Sequence, residues 1–286
     1  MTYKIIGDSC LDLTEELKKD PKFQMVPLTL QVGTAQVVDD ETFDQKAFIR
    51  MVKECPECPK TACPSPEIFK EAYEAADADA VFVITLSSHL SGSYNSAALA
   101  KQLYEEEMKE KGMESHKKIE VLDSESASAG QLEQALYIRD LCEQGLEFDE
   151  VVEKLRKFRD GMHTYFVLES LDTLRKNGRL SGLQAFFATA LNIKPVMGAD
   201  HGVIIKLDQA RGINKGLQRM CDIAMKEAGD TTEKRAVVCH VNNPERGEYV
   251  KQELEKRGTF KEIVVTNAAG VATVYANDGG IILAIG

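Results

Sequence analysis

No stretch of this 286-residue sequence approaches the ~18 consecutive apolar residues that span a bilayer, so no membrane-crossing helix is expected. No charged segment leading into an apolar run opens it, so no secretory leader is expected. Positive charge is in deficit: 35 Lys and Arg stand against 46 Asp and Glu, a net charge of -11. Phosphate backbones and anionic lipid surfaces attract the opposite sign, which argues against nucleic acid and against bulk attraction to membranes. A local basic pocket remains open. The five histidines are scattered, and there is no HExxH. A GxSxG elbow, an EF-hand loop, a GxxxxGK[ST] loop and a GxGxxG turn are also absent, which leaves no ready catalytic or nucleotide signature. The seven cysteines, odd in number, fit a reducing cytoplasm better than a disulfide framework. Cys55, Cys58 and Cys63 cluster in "CPECPKTAC". A CxxC can be half a zinc site, but no second CxxC exists. The other reading is a Pro-rich loop with free thiols. No metal and no cofactor is expected.

What is present is an alternation of strands and helices. "YKIIGD", "QMVPLTLQV", "AVFVIT" and "KIEVLDS" read as strands, with Pro27 placing the second at an edge or an irregularity. "LTEELKK" reads as a short helix and "DQKAFIRMVKE" as a longer one. "PSPEIFKEAYEAA" starts with Ser65 as N-cap and Pro66 at the first helical position. "ASAGQLEQALYIRDLCEQG" ends at Gly145, and "EFDEVVEKLRKFRDG" is amphipathic. Strands followed by helices at this spacing predict βαβ units and a mainly parallel sheet. Beyond residue 160 the texture changes. "IKPVMGADHGVIIKLDQAR" reads as two strands around a glycine turn, and "LQAFFATALN" is apolar almost all round. At about 100–200 residues per domain, the expectation is an α/β chain of two domains. The first covers residues 1–160 and the second 161–286.

The turn "SSHLSGS" lies between a strand and a helix. Ser91 can N-cap a helix from residue 92, leaving the N–H groups of Gly92 and Ser93 at a helix end that carries about half a positive charge. Such a site suits an anion, although a helix cap alone explains the serine equally well. Thr61 and Ser65 precede another helix in "KTACPSP". Arg179, flanked by glycines in "NGRLSG", is the best candidate for a pocket cation. Lys194 and Arg211 lie in or near strands and can equally be surface charges. Asp8 and Asp123 both end strands in "DS", which would place two carboxylates near the top of one sheet. They support either a polar enzymatic cleft for a small phosphorylated or carboxylated substrate, or a pair of capping turns.

In order and spacing, "DSCLDL", "VPLTL", "TACPSP", "TLSSHLSGSYNSA", "VLDSESASAGQ", "TLRKNGRLSG" and "IKPVMGADHG" resemble the DegV family of bacterial proteins. The resemblance implies a two-domain α/β fold with a long-chain fatty acid held between the domains. It places the carboxylate on Thr61 and on Ser91, Gly92 and Ser93, with Arg179 supporting the head group or a partner. It implies a cytoplasmic acyl carrier, not an enzyme, that presents its ligand to a separate fatty acid kinase for phospholipid synthesis. One segment departs from the family: Asn267, in "TNAAGVATVYANDGG", stands near the position of a histidine in a Gly-Pro-Gly context. An apolar slot for the tail can draw on Leu183, Phe186, Phe187 and Leu191, which equally suit a buried helix. Burying about fifteen methylenes at ~0.8 kcal/mol each sets an upper bound near 12 kcal/mol. Chain ordering reduces that figure.

Overall fold

A computed structural model of the chain describes residues 1–112, 117–180 and 192–286. Strand β1 (Tyr3–Asp8) runs parallel to β2 (Phe23–Val26). Between them the expected short helix is a single 3-10 turn, Leu17–Lys19. The run read as one strand across Pro27 is two strands in two sheets. Proline has no N–H and restricts the residue before it, so pairing breaks there. Leu28 donates its N–H to Ser9 Oγ at 3.0 Å instead. The chain re-forms as β3 (Thr29–Val32), which makes a hairpin with β4 (Ala35–Val38) around Gly33 at φ 57°.

Helix α1 (Gln45–Glu54) is capped by Asp44, which accepts the Ala47 N–H at 2.9 Å. Next, β5 (Lys60–Ala62) pairs with β3, completing a small antiparallel sheet in the order β4-β3-β5. Neither β4 nor β5 stands out in the sequence. Helix α2 (Pro66–Ala75) begins with Ser65 as N-cap and Pro66 in its first turn, as expected.

The strand β6 (Ala80–Thr85) is buried at all six positions, as a parallel strand covered on both faces should be. Helix α3 (Ser93–Glu110) and strand β7 (Lys118–Asp123) follow. The sheet β2-β1-β6-β7 is parallel throughout. Helices α4 (Ala129–Glu143) and α5 (Phe148–Gly161) come next.

The remaining strands are β8 (His163–Val167), β9 (Ile193–Asp200), β10 (Val203–Arg211), β11 (Arg235–His240), β12 (Glu262–Asn267) and β13 (Ile281–Ile285). They form one sheet in the order β10-β9-β8-β13-β11-β12, in which only β11 and β12 pair in parallel. Helices α6 (Asp172–Lys176), α7 (Ile213–Ala228), α8 (Pro244–Glu255) and α9 (Gly270–Ala276) connect them. No described helix is long and apolar enough to cross a membrane.

Helix α4 joins the two large sheets, packing on β1 and β6 of one and on β8, β11 and β13 of the other. It is buried nearly all round, which includes Gln131, Glu133 and Gln134. These polar side chains are accommodated by partners. Gln131 donates to Asp8 and to the Ile84 carbonyl, and Gln134 donates to the Ser124 carbonyl. Phe82, Leu132, Phe166 and Val237 belong to one continuous core that runs through both sheets.

Candidate ligand-binding cavity

A cavity with about 840 Å³ of atom-free space, its open mouth included, lies at the carboxyl ends of the parallel strands. Cys10 follows β1, Leu28 follows β2, Leu86 follows β6 and Ala127 follows β7, and all four line it. This is where open α/β sheets take ligands. The opposite wall is the six-stranded sheet. Thr164, Phe166 and Leu168 reach the cavity at alternate positions along β8 and just beyond, as side chains on one sheet face must. Ile204 and Ile282 extend that wall, and Val271, Ala272, Tyr275 and Ala276 contribute one face of α9. The interior is therefore mostly aliphatic.

One end is polar. Thr61 Oγ1 and Tyr275 Oη lie 2.9 Å apart in a hydrogen bond, and both line the cavity. The Arg179 guanidinium sits 5.6 Å from the centre of the Tyr275 ring. It is fixed by donating to the Leu90 carbonyl at 3.1 Å and the Asn177 carbonyl at 2.6 Å. Ser91 also lines the cavity. The structure thus brings Thr61, Ser91 and Arg179 to one wall, three segments far apart in sequence.

Gly92 and Ser93 stand just behind Ser91. Helix α3 begins one residue later than expected, at Ser93, with Gly92 and not Ser91 as its N-cap. The reason is local: Ser91 Oγ accepts the Ser93 N–H at 3.2 Å and lies 3.1 Å from Ser93 Oγ. Ser93 is fully buried, and its hydroxyl faces Asp8. A Cβ on Gly92 would come within 3.0 Å of Cys63 Sγ, so glycine lets the two loops approach.

Buried carboxylates hold this architecture. Asp12 accepts the Ala269 N–H at 2.6 Å and the Ser128 hydroxyl at 2.5 Å. Asp39 accepts the N–H groups of Gly270 and Val271 at 2.7 and 2.9 Å. The two aspartates together pin the start of α9 and so place Tyr275. Burial pushes the Asp12 carboxyl up to about 7 and the Asp39 carboxyl up to about 6, while their hydrogen bonds pull the other way.

The structure does not bring Asp8 and Asp123 together at the cavity. Strand β6 lies between β1 and β7, which carry them, and neither lines the cavity. Asp8 is fully buried and receives Leu86 N–H at 2.8 Å and Gln131 Nε2 at 3.0 Å. Burial raises its carboxyl to about 6 against these bonds. Asp123 receives the N–H groups of Ser88 and Glu125 at 3.1 and 3.0 Å. Both are loop anchors.

Lys194, Arg211 and Asn267 are away from the cavity lining. Lys194 is engaged with Glu169 at 2.7 Å. Arg211 is exposed at the end of β10. Asn267 bonds to Gln45 at 2.8 Å and accepts the Asn242 N–H at 3.1 Å. Cys55, Cys58 and Cys63 are free thiols, and Cys58 Sγ lies 3.5 Å from Asn177 Nδ2. Among the described residues no group of three or more His, Cys, Asp or Glu side chains is arranged to hold a metal. Leu183, Phe186, Phe187 and Leu191 lie outside the described residues. Tyr275, Leu174 and the hydroxyls of Ser126 and Thr164 were not anticipated. Of these only Thr164 lies in a segment that reads as strand-like, "TYFVLES".

A stacked α/β architecture that encloses an aliphatic cavity with a hydroxyl-rich, cationic mouth defines the structural class. The family model described as "Uncharacterised protein, DegV family" matches residues 2–285. The chain belongs to the DegV family. It is 34% identical to a DegV domain-containing protein of Streptococcus pneumoniae, over 99% of this chain and 98% of the relative. The crystal structure of a DegV family protein from Ruminococcus gnavus, refined with vaccenic acid, is similar at a TM-score of 0.93 and 43% identity, with 99% of each chain covered. The Streptococcus pneumoniae fatty acid kinase (Fak) B3 protein, loaded with linoleic acid, matches at a TM-score of 0.88 and 33% identity, again over 99% of each chain.

Proposed function

We propose that this protein is a long-chain fatty-acid-binding carrier. The observation that carries the reading is the pairing, in one cavity, of an aliphatic interior with the Thr61, Ser91, Tyr275 and Arg179 mouth. A fatty acid presents those two chemistries, a tail to be removed from water and a carboxylate needing donors. The hydroxyls donate to the carboxylate, Arg179 adds positive charge, and the start of α3 adds the favourable end of its dipole. Tail burial dominates affinity, and the head group fixes orientation. The fatty acids named for the related structures support the same assignment.

With its carboxylate at the mouth, the ligand is placed for presentation to a separate kinase, so the protein serves as a carrier and not as the enzyme. The boundary of the two α/β units falls near residue 160, between α5 and β8, and the acyl chain lies between them. Seven free cysteines accord with a reducing cytoplasm.

Calorimetry on the Thr61→Val, Ser91→Ala double variant tests the head-group assignment. Each lost hydrogen bond to a charged group is worth about 1.5–3 kcal/mol. Stearic acid should therefore bind at least about tenfold more weakly, while its methyl ester changes much less. An equal loss for acid and ester would place the carboxylate elsewhere.

A further inference from the structure

Tyr275 stands where three segments meet at the cavity mouth. Helix α9, which carries it, packs against α6 and against β3 and β5 of the small sheet. Its hydroxyl meets Thr61 of β5 at 2.9 Å, and its ring lies under the guanidinium of Arg179, which follows α6. All three side chains are half-buried and line the cavity. Among the described residues Arg179 meets two carbonyls and this ring, and no carboxylate.

The direction of the Thr61–Tyr275 bond decides what a ligand meets. Either hydroxyl can donate, and the one that does not keeps its proton for another partner. A phenol is the stronger donor of the two, and an aliphatic hydroxyl is the stronger acceptor. The Arg179 cation over the ring draws density from the phenol oxygen, which favours the same sense. Tyr275 therefore donates to Thr61, and Thr61 keeps its proton for the ligand. Two hydrogen bonds in series also strengthen each other. In the opposite sense Thr61 would give its proton to Tyr275 and face a carboxylate with lone pairs only. Phenylalanine at this position would keep the ring under Arg179 and remove only the control over Thr61.

We propose that Tyr275 is a positioning residue of the head-group site, its hydroxyl holding Thr61 as a donor to the carboxylate and its ring holding Arg179 alongside. This rests on the carrier reading above. The test is the preference of the delipidated protein for stearic acid over its methyl ester, measured by calorimetry across a double-mutant cycle of Tyr275→Phe and Thr61→Val. Tyr275→Phe should lower that preference about fivefold, the weight of one neutral hydrogen bond. In the Thr61→Val background the same change should alter it less than about twofold, because the residue it acts through is gone. 3-Fluorotyrosine at position 275, a stronger donor of nearly the same shape, should raise the preference when Thr61 is present and leave it unchanged in the Thr61→Val background. An unchanged preference on Tyr275→Phe, or an equal loss for acid and ester, overturns the role, since the hydroxyl then serves packing alone. A loss of the same size in both backgrounds overturns it as well, since Tyr275 then acts without Thr61. These results leave the carrier reading standing. If the wild-type protein binds neither ligand, or shows no preference for the acid, the head-group assignment of the carrier reading falls and the role of Tyr275 with it.

Discussion

Ala272→Phe should remove most of the affinity for long-chain fatty acid while the protein stays folded. Ala272 is 5% exposed on α9 and lines the cavity among Val271, Tyr275 and Ala276. A phenyl ring added there occupies space that the tail would fill. Displacing about four methylenes at ~0.8 kcal/mol each costs about 3 kcal/mol of binding, on the order of a hundredfold. Overpacking costs roughly 1–3 kcal/mol of stability, which a domain stable by ~5–15 kcal/mol tolerates. Circular dichroism and thermal melting check the fold, and calorimetry with oleic acid checks the affinity. An unchanged dissociation constant in a well-folded variant would mean that the tail does not run past α9.

The largest expected loss of stability comes from Arg235→Ala. Arg235 is 4% exposed at the start of β11. Its guanidinium meets Glu262 at 2.7 Å, Glu133 at 3.4 Å and Asp140, the last two on α4. It thereby ties the six-stranded sheet to the helix that packs on both large sheets. Glu133 is almost fully buried, and its Oε2 has no hydrogen-bond partner among the described residues. Burial pushes its carboxyl up to about 8 even with Arg235 attracting the charged form. Removing Arg235 costs about 3–5 kcal/mol, because Asp140, which its guanidinium holds ionised, is left as a largely buried charge without its cation. Urea unfolding measures the difference. Adding Asp140→Asn with Arg235→Met should restore much of it, since the isolated charge is then gone. A loss below about 1 kcal/mol for Arg235→Ala would show that the cluster is solvated and weak.

Much of the frame was legible where one segment carried its own signal. "AVFVIT" is apolar at every position but the last because β6 is covered on both faces. Ser65 and Pro66 announced α2, and the glycine turn in "GADHGV" announced the hairpin of β9 and β10. Thr61, Ser91 and Arg179, singled out by their sequence context, share one cavity wall.

What escaped notice depended on tertiary partners. Helix α4 displays Gln131, Glu133 and Gln134 like a surface helix, yet each side chain meets a group supplied from elsewhere: Asp8, Arg235 and the Ser124 carbonyl. Tyr275 has no local signature, since its place depends on Asp12 and Asp39 capturing the start of α9 from more than two hundred residues away. The single run across Pro27 was misread because alternation persists through it while the missing N–H divides it between two sheets.

The most direct test of the carrier assignment is native mass spectrometry of the protein as purified from bacteria, followed by denaturing extraction. The account predicts an adduct with the mass of a long-chain fatty acid, bound in the native protein and released on unfolding. An unliganded mass that does not shift when oleic or stearic acid is added would contradict it.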